Sequence, residues 1–164
     1  MTGDTISPTR MALLTRRAQI RLAQEGVTLL EGKRHALLKE LIARAREYRD
    51  LRKELHIRGR QAAVAVTLAR AMRGTEEVRA AAHALQREIP VRVKTESVWG
   101  IPLGDLEFED ILRSPTDKGL GQFATSSHVW EAAESAERML EVLLACAPRE
   151  RNLQLLGEEI RKVS

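Results

Sequence analysis

Apolar residues recur every seven positions from Leu13: Leu13, Ile20, Val27, Leu41, Tyr48, Leu55, Ala62 and Ala69 follow the step, with Arg34 the one interruption. The companion series three residues on runs Arg16, Ala23, Leu30, Leu37, Arg44, Leu51, Arg58, Ala65 and Met72, apolar at six of nine positions. Two series interleaved at this spacing share one stripe of a helix, and they persist well beyond the three or four heptads that identify a coiled coil. No proline falls between Arg10 and Met72, and the glycines there stand singly, so the pattern predicts one uninterrupted helix. At ~1.5 Å per residue it would span roughly 95 Å. Ser7-Pro8-Thr9 supplies the start, with Ser7 as cap and proline at the first helical position, and Gly74 supplies the stop.

The middle of the chain has a different period. Val78, Ala81, Ala82 and Leu85 sit at helical spacing within Glu76 to Glu88, and Pro90 to Val98 alternates apolar and polar residues as a short strand does. Gly100-Ile-Pro-Leu-Gly104 reads as a turn into a second strand around Leu106 to Ile111, and Ser114 to Gly119 is loop chemistry. Helix resumes at Ser126 or Ser127, with a seam of Val129, Ala132, Ala136, Met139, Leu143, Cys146, Glu150, Leu153, Gly157 and Ile160. Pro148 lies inside it and predicts a kink. The expected fold is therefore mainly α: a long antiparallel helical hairpin with a small helix and β-hairpin head at its closed end. Its parts are a first coiled-coil helix over 1–72, a head over 73–126 and a second helix over 127–164. If Met72 faces residue 127, Ser164 lies opposite His35, and residues 10–34 have no partner helix.

Composition agrees with a rod. Only Tyr48, Trp99, Phe108, Phe123 and Trp130 are aromatic, too few to fill a compact mixed core. The net charge of +4 divides as +8 over residues 1–72 and −2 over each of 73–126 and 127–164. The single Cys146 excludes an internal disulfide and a multi-cysteine zinc site, and suits a reducing compartment, with the cytoplasm as the expected one. No stretch approaches the roughly 20 apolar residues of a membrane span, so no direct insertion is expected. Gly26 to Arg34 superficially suggests a phosphate loop, but five residues separate its glycines where the motif needs four, and Arg34 follows Lys33 where Ser or Thr is required. No two of His35, His56, His83 and His128 are spaced to share a metal, and a rod offers no cleft for a hydrolase triad; neither metal, cofactor nor catalysis is expected.

Ser7-Pro8-Thr9-Arg10, Leu14, Arg17, Leu22-Ala23, Gly26, Leu29-Leu30, Lys33-Arg34 and Leu37 together resemble the opening of the D subunit of the V-type (archaeal and bacterial V/A-type) ATPases, the central-stalk axle. Val98-Trp99-Gly100-Ile101-Pro102 is similar to that family's short aromatic-glycine motif, and Leu156-Gly157-Glu158-Glu159-Ile160 to part of its second long helix. The chain departs from the family at Glu31-Gly32, at His35 and at Pro148, and the family's second helix continues past Ile160. The resemblance implies a non-catalytic rotor that transmits torque between ATP hydrolysis or synthesis and proton or sodium translocation. Its hairpin would insert into the ring of catalytic A and B subunits, and its head would meet the small F subunit of the stalk and a membrane-side socket subunit. It would be cytoplasmic, a peripheral part of a membrane-bound complex. On this reading Arg10, Arg16, Arg17 and Arg21 are bearing contacts with the ring, and Val98, Trp99 and Ile101 form the docking surface of the head. Two rivals stand beside it. The gamma subunit of F-type enzymes needs a much larger insert than residues 73–126, and a basic coiled coil could bind nucleic acid through its +8 segment, although the resemblance implies no nucleic-acid partner.

Overall fold

The computed structural model describes residues 10–113 and 126–163. Five elements follow in chain order: α1 (Arg10–Arg73), α2 (Thr75–Ala84), β1 (Val91–Val98), β2 (Ile101–Phe108) and α3 (Ser127–Val163). Helices α1 and α3 pack along each other as the expected hairpin, and the two strands pair antiparallel. The expected cap at Ser7 and the loop from Ser114 lie outside the described residues.

The heptad stripe separates α1 into two stretches. From Leu37 to Ala69 every position of the two series is buried or half-buried, with Ala62, Ala65 and Ala69 in the core. From Leu13 to Arg34 every position of the same two series is exposed. At the closed end Ala65 and Ala69 pack with Val129 and Ala132, and the small side chains let the helices approach closely. Gly74 breaks the helix with φ 83, a conformation that costs glycine nothing, and its N–H closes on the Arg70 carbonyl at 2.9 Å. Helix α2 starts at once behind it and folds Val78 and Ala81 back onto the same cluster.

Helix α3 runs unbroken through Pro148, whose ring is buried and whose missing N–H removes the donor that would otherwise reach the carbonyl four residues back. Its predicted seam is buried or half-buried at Val129, Ala132, Ala136, Met139 and Cys146 but not at Leu143, which is exposed, and it drifts beyond. Glu150 is exposed, and the buried positions become Asn152 and Leu156 rather than Leu153 and Gly157. The cause is a second neighbour: β2 packs on this part of α3, so the buried face turns toward the strands. The helix pairing shifts with it. Ala69 clusters with Val129 and Lys33 bonds Glu159, so Lys33 is partnered and the uncovered stretch of α1 begins closer to its start than the count from Met72 gives.

The β-hairpin also differs in its bounds. Its turn is Trp99-Gly100 and its second strand begins at Ile101, not near Leu106. Positive φ at both central residues, 53 and 82, is the two-residue type I′ geometry whose twist suits a hairpin. Asn-Gly is the usual signal for that turn, and a bulky tryptophan in its first position hides it. Ile111, expected at the end of the strand, is instead a buried plug beyond it.

Candidate functional site

Alternation along β2 places Ile101 and Leu103 on one face, where they meet Leu37 of α1 and Leu156 of α3. Leu41, Val98, Leu155 and Ile160 surround this cluster. The strands thus leave the closed end and lie along the helix pair, and their turn reaches the stretch where α3 ends and α1 continues bare. Fully buried Leu37 and Leu156 make the cluster a junction of three elements.

Polar contacts fix the hairpin in that position. The buried side chain of Asn152 donates to the Gly104 carbonyl at 2.7 Å and accepts from the Gly104 N–H at 2.9 Å, completing that peptide's hydrogen bonds as a third strand would. Arg149 reaches the neighbouring Asp105 at 3.2 Å. Nearer the closed end, Arg113 bonds Glu137 at 3.0 Å with both side chains largely shielded, and it also donates to the Leu85 carbonyl. Replacing Asn152 with alanine leaves both groups of Gly104 unpaired, which is expected to cost about 1–3 kcal/mol. Amide exchange should rise in β2 while α1 from Arg44 to Ala62 keeps its protection; unchanged exchange at Gly104 would remove the clamp from this account.

Beside the turn, Lys33 donates to Glu159 at 3.0 Å, and Lys162 approaches the other carboxylate oxygen. The hydrogen bond from Lys33, then that from Lys162, holds the Glu159 carboxyl below its ordinary range. A lowered carboxyl pKa stabilises the fold above the unfolded value, and that contribution is lost as pH falls through the lowered one. Acid therefore weakens the contact of Glu159 with Lys33 and Lys162.

Of the three residues expected to form a docking surface, Ile101 is in the core and Val98 is half-buried against the same cluster. Their side chains hold the hairpin down and are not offered to a partner. Trp99 is different, being 60% exposed in a left-handed conformation that a bulky residue rarely adopts, at a backbone cost of about 1–2 kcal/mol. Its ring lines a shallow notch with Thr28, Leu29, Gly32 and Lys33 of α1. Arg10, Arg16, Arg17 and Arg21 are all exposed on that same helix. At about 100° per residue, Arg10, Arg17 and Arg21 share one face and Arg16 points elsewhere. Arg21 pairs with Glu25 at 3.0 Å, and Arg16 bonds Gln19. Sequence reasoning missed Asn152, Arg113 and Glu137, whose partners are far away in the chain and carry no local signal. Among the described residues no group of three potential ligands could hold a metal ion, and no helix is long and apolar enough to cross a membrane.

The family model for the D subunit of ATP synthase matches residues 12–164. The chain is 38% identical over 159 residues to the V-type ATP synthase D subunit of Thermus thermophilus, covering 97% of this chain and 70% of that protein. It is 37% identical over 156 residues to the V-type ATP synthase D subunit of an Anaeromyxobacter species, covering 95% and 73%. It is 31% identical over 157 residues to the A-type ATP synthase D subunit of Pyrococcus furiosus, covering 96% and 73%.

Proposed function

From the family to which the chain belongs, that of the V-type and A-type ATP synthase D subunits, we propose that it is the turning axle of a rotary ATPase, carrying torque between nucleotide turnover and ion movement without chemistry of its own. The observation that supports this most directly is the helix pair: a 64-residue α1 backed by a 37-residue α3 is a stiff shaft, and α1 carries a basic start. On this reading that end turns inside the ring of A and B subunits, with Arg10, Arg16, Arg17 and Arg21 as its charged bearing. The exposed Trp99 is the docking anchor for the small F subunit of the stalk, and the closed end faces the socket subunit at the membrane. Tryptophan is among the residues enriched at the few positions that dominate binding energy in protein interfaces. The protein then works at the cytoplasmic face of the membrane, as a peripheral part of the complex, and carries proton or sodium transport mechanically.

Reconstitution tests the reading. The purified chain should hydrolyse no ATP. Assembled with A and B subunits and carrying a bead on a cysteine placed at exposed Ala80 of α2, it should rotate when ATP is supplied. Saturable turnover by the pure chain that survives further purification, or a stationary bead on a ring that hydrolyses ATP, would overturn it. In the same system Trp99→Ala should weaken binding of the F subunit by at least about tenfold, the loss of a central aromatic anchor. Unchanged affinity would move that docking site away from the turn.

A further inference from the structure

Helices α2 and α3 meet where Val78 and Ala81 join the cluster at the closed end, and between them lies an open groove of about 560 Å³. One wall is Val78, Ala81 and Leu85 of α2, and the other is Ala133, Ala136 and Leu140 of α3. All six are half-buried, so the walls screen each other while the mouth stays open to water. Ala133 and Ala136 give the groove its width, since a larger side chain at either would occupy it. A trough of this volume, mainly apolar and with few polar groups, has the size and lining of a small-molecule site. None of its residues lines the notch at Trp99.

The polar groups point to the ligand. Glu137 is the one acid lining the groove among the described residues, and Arg113 holds it at 3.0 Å. Arg79, on the rim, is paired with Glu76 at 2.9 Å. Arg87 has no carboxylate partner among the described residues; it donates to the Ile111 carbonyl at 2.7 Å, a neutral acceptor that steadies the guanidinium without neutralising it. A planar guanidinium with spare donors matches one carboxylate, whereas a cationic head would be repelled there. We infer that the groove between α2 and α3 binds a straight-chain carboxylate, its head on Arg87 and its tail between the two apolar walls. From Val78 to Leu85 the wall runs about 10 Å at ~1.5 Å per residue, room for an extended alkyl chain. Each methylene laid between the walls leaves water, which supplies affinity, and the ion pair sets the direction in which the ligand lies. A bound chain would also tie the short α2 to the shaft.

Amphiphiles with one tail and opposite heads test this in the full chain. Calorimetric titration with dodecanoate below its micellar concentration should show one saturable site. Dodecyltrimethylammonium should bind at least tenfold more weakly. Arg87→Gln should weaken dodecanoate at least tenfold and leave the cationic amphiphile unchanged, while Arg87→Lys keeps part of the difference. Ala136→Phe should abolish binding of both, with circular dichroism and the urea midpoint checking that the variant is folded. In the unaltered chain, a nitroxide-bearing stearate should broaden the amide signals of residues 78–85 and 133–140 and leave 13–30 sharp. Absence of a saturable site, or equal affinity for the two heads, would overturn the proposal. So would broadening confined to 13–30, which assigns binding to the exposed apolar start of α1. Binding that appears only after residues 114–125 are replaced by a glycine-serine linker would show that the chain fills its own groove. Protection of α2 from amide exchange by another subunit, with no dodecanoate bound, would give the groove to a protein partner, and either result overturns the proposal equally.

Discussion

Leu156→Ala is expected to destabilise the protein by about 3–5 kcal/mol, the range for a fully buried leucine whose site cannot collapse. Leu156 packs in the cluster that brings together Leu37 of α1 with Ile101 and Leu103 of β2, so a cavity there touches three elements at once. Relaxation of any one of them is blocked by the other two. Denaturant unfolding should show the midpoint falling at constant slope, while amide exchange rises in β1, β2 and the last turns of α3. The control is Leu143→Ala on the same helix, which is 43% exposed and should cost less than about 1 kcal/mol. Equal losses at the two positions would show that the hairpin is no part of the core.

The second large effect concerns the start of α1. Its seam residues Leu13, Ile20, Val27 and Leu30 are more than half exposed, and Met11, Leu22 and Leu29 expose a second apolar face. Helix without tertiary cover is marginal in water, whereas the stretch beside α3 is held by packing. Amides of residues 13–28 are therefore expected to exchange at least about a thousandfold faster than those of 44–65, the gap between local fraying and cooperative opening. Addition of A and B subunits should slow exchange in the first stretch if the ring is its cover. Uniform protection in the chain alone would mean that the seam is covered along its whole length.

The long helix was legible because its pattern repeats over many turns, and each repeat votes for the same face. From Leu37 to Ala69 that vote is confirmed by burial. The strands were harder. A tryptophan occupies the turn position where asparagine would have announced a hairpin, so the second strand was placed too late in the chain. The family resemblance could single out Ile101 but could not say whether it faces a partner or the interior. That choice depends on where the hairpin lies, which is fixed by Asn152 meeting Gly104 and by Arg149 meeting Asp105, contacts between residues about 45 positions apart. The drift of the α3 seam toward Leu156 has the same origin, since a helix cannot reveal a second neighbour through the period of the first.

The position of the hairpin also has a mechanical meaning. Two parallel rods fastened at one end alone twist easily, because each slides past the other at the free end. Here the fastening at Gly74 and α2 is matched by a cross-tie at the opposite end of α3, where β2 grips Leu37 and Leu156 together and Lys33 is bonded to Glu159. The sliding that torsion requires is thereby resisted at both ends, and the helix pair becomes a closed frame. Its stiffness against twisting is concentrated between residues 37 and 69 of α1, the stretch that lies between the two fastenings.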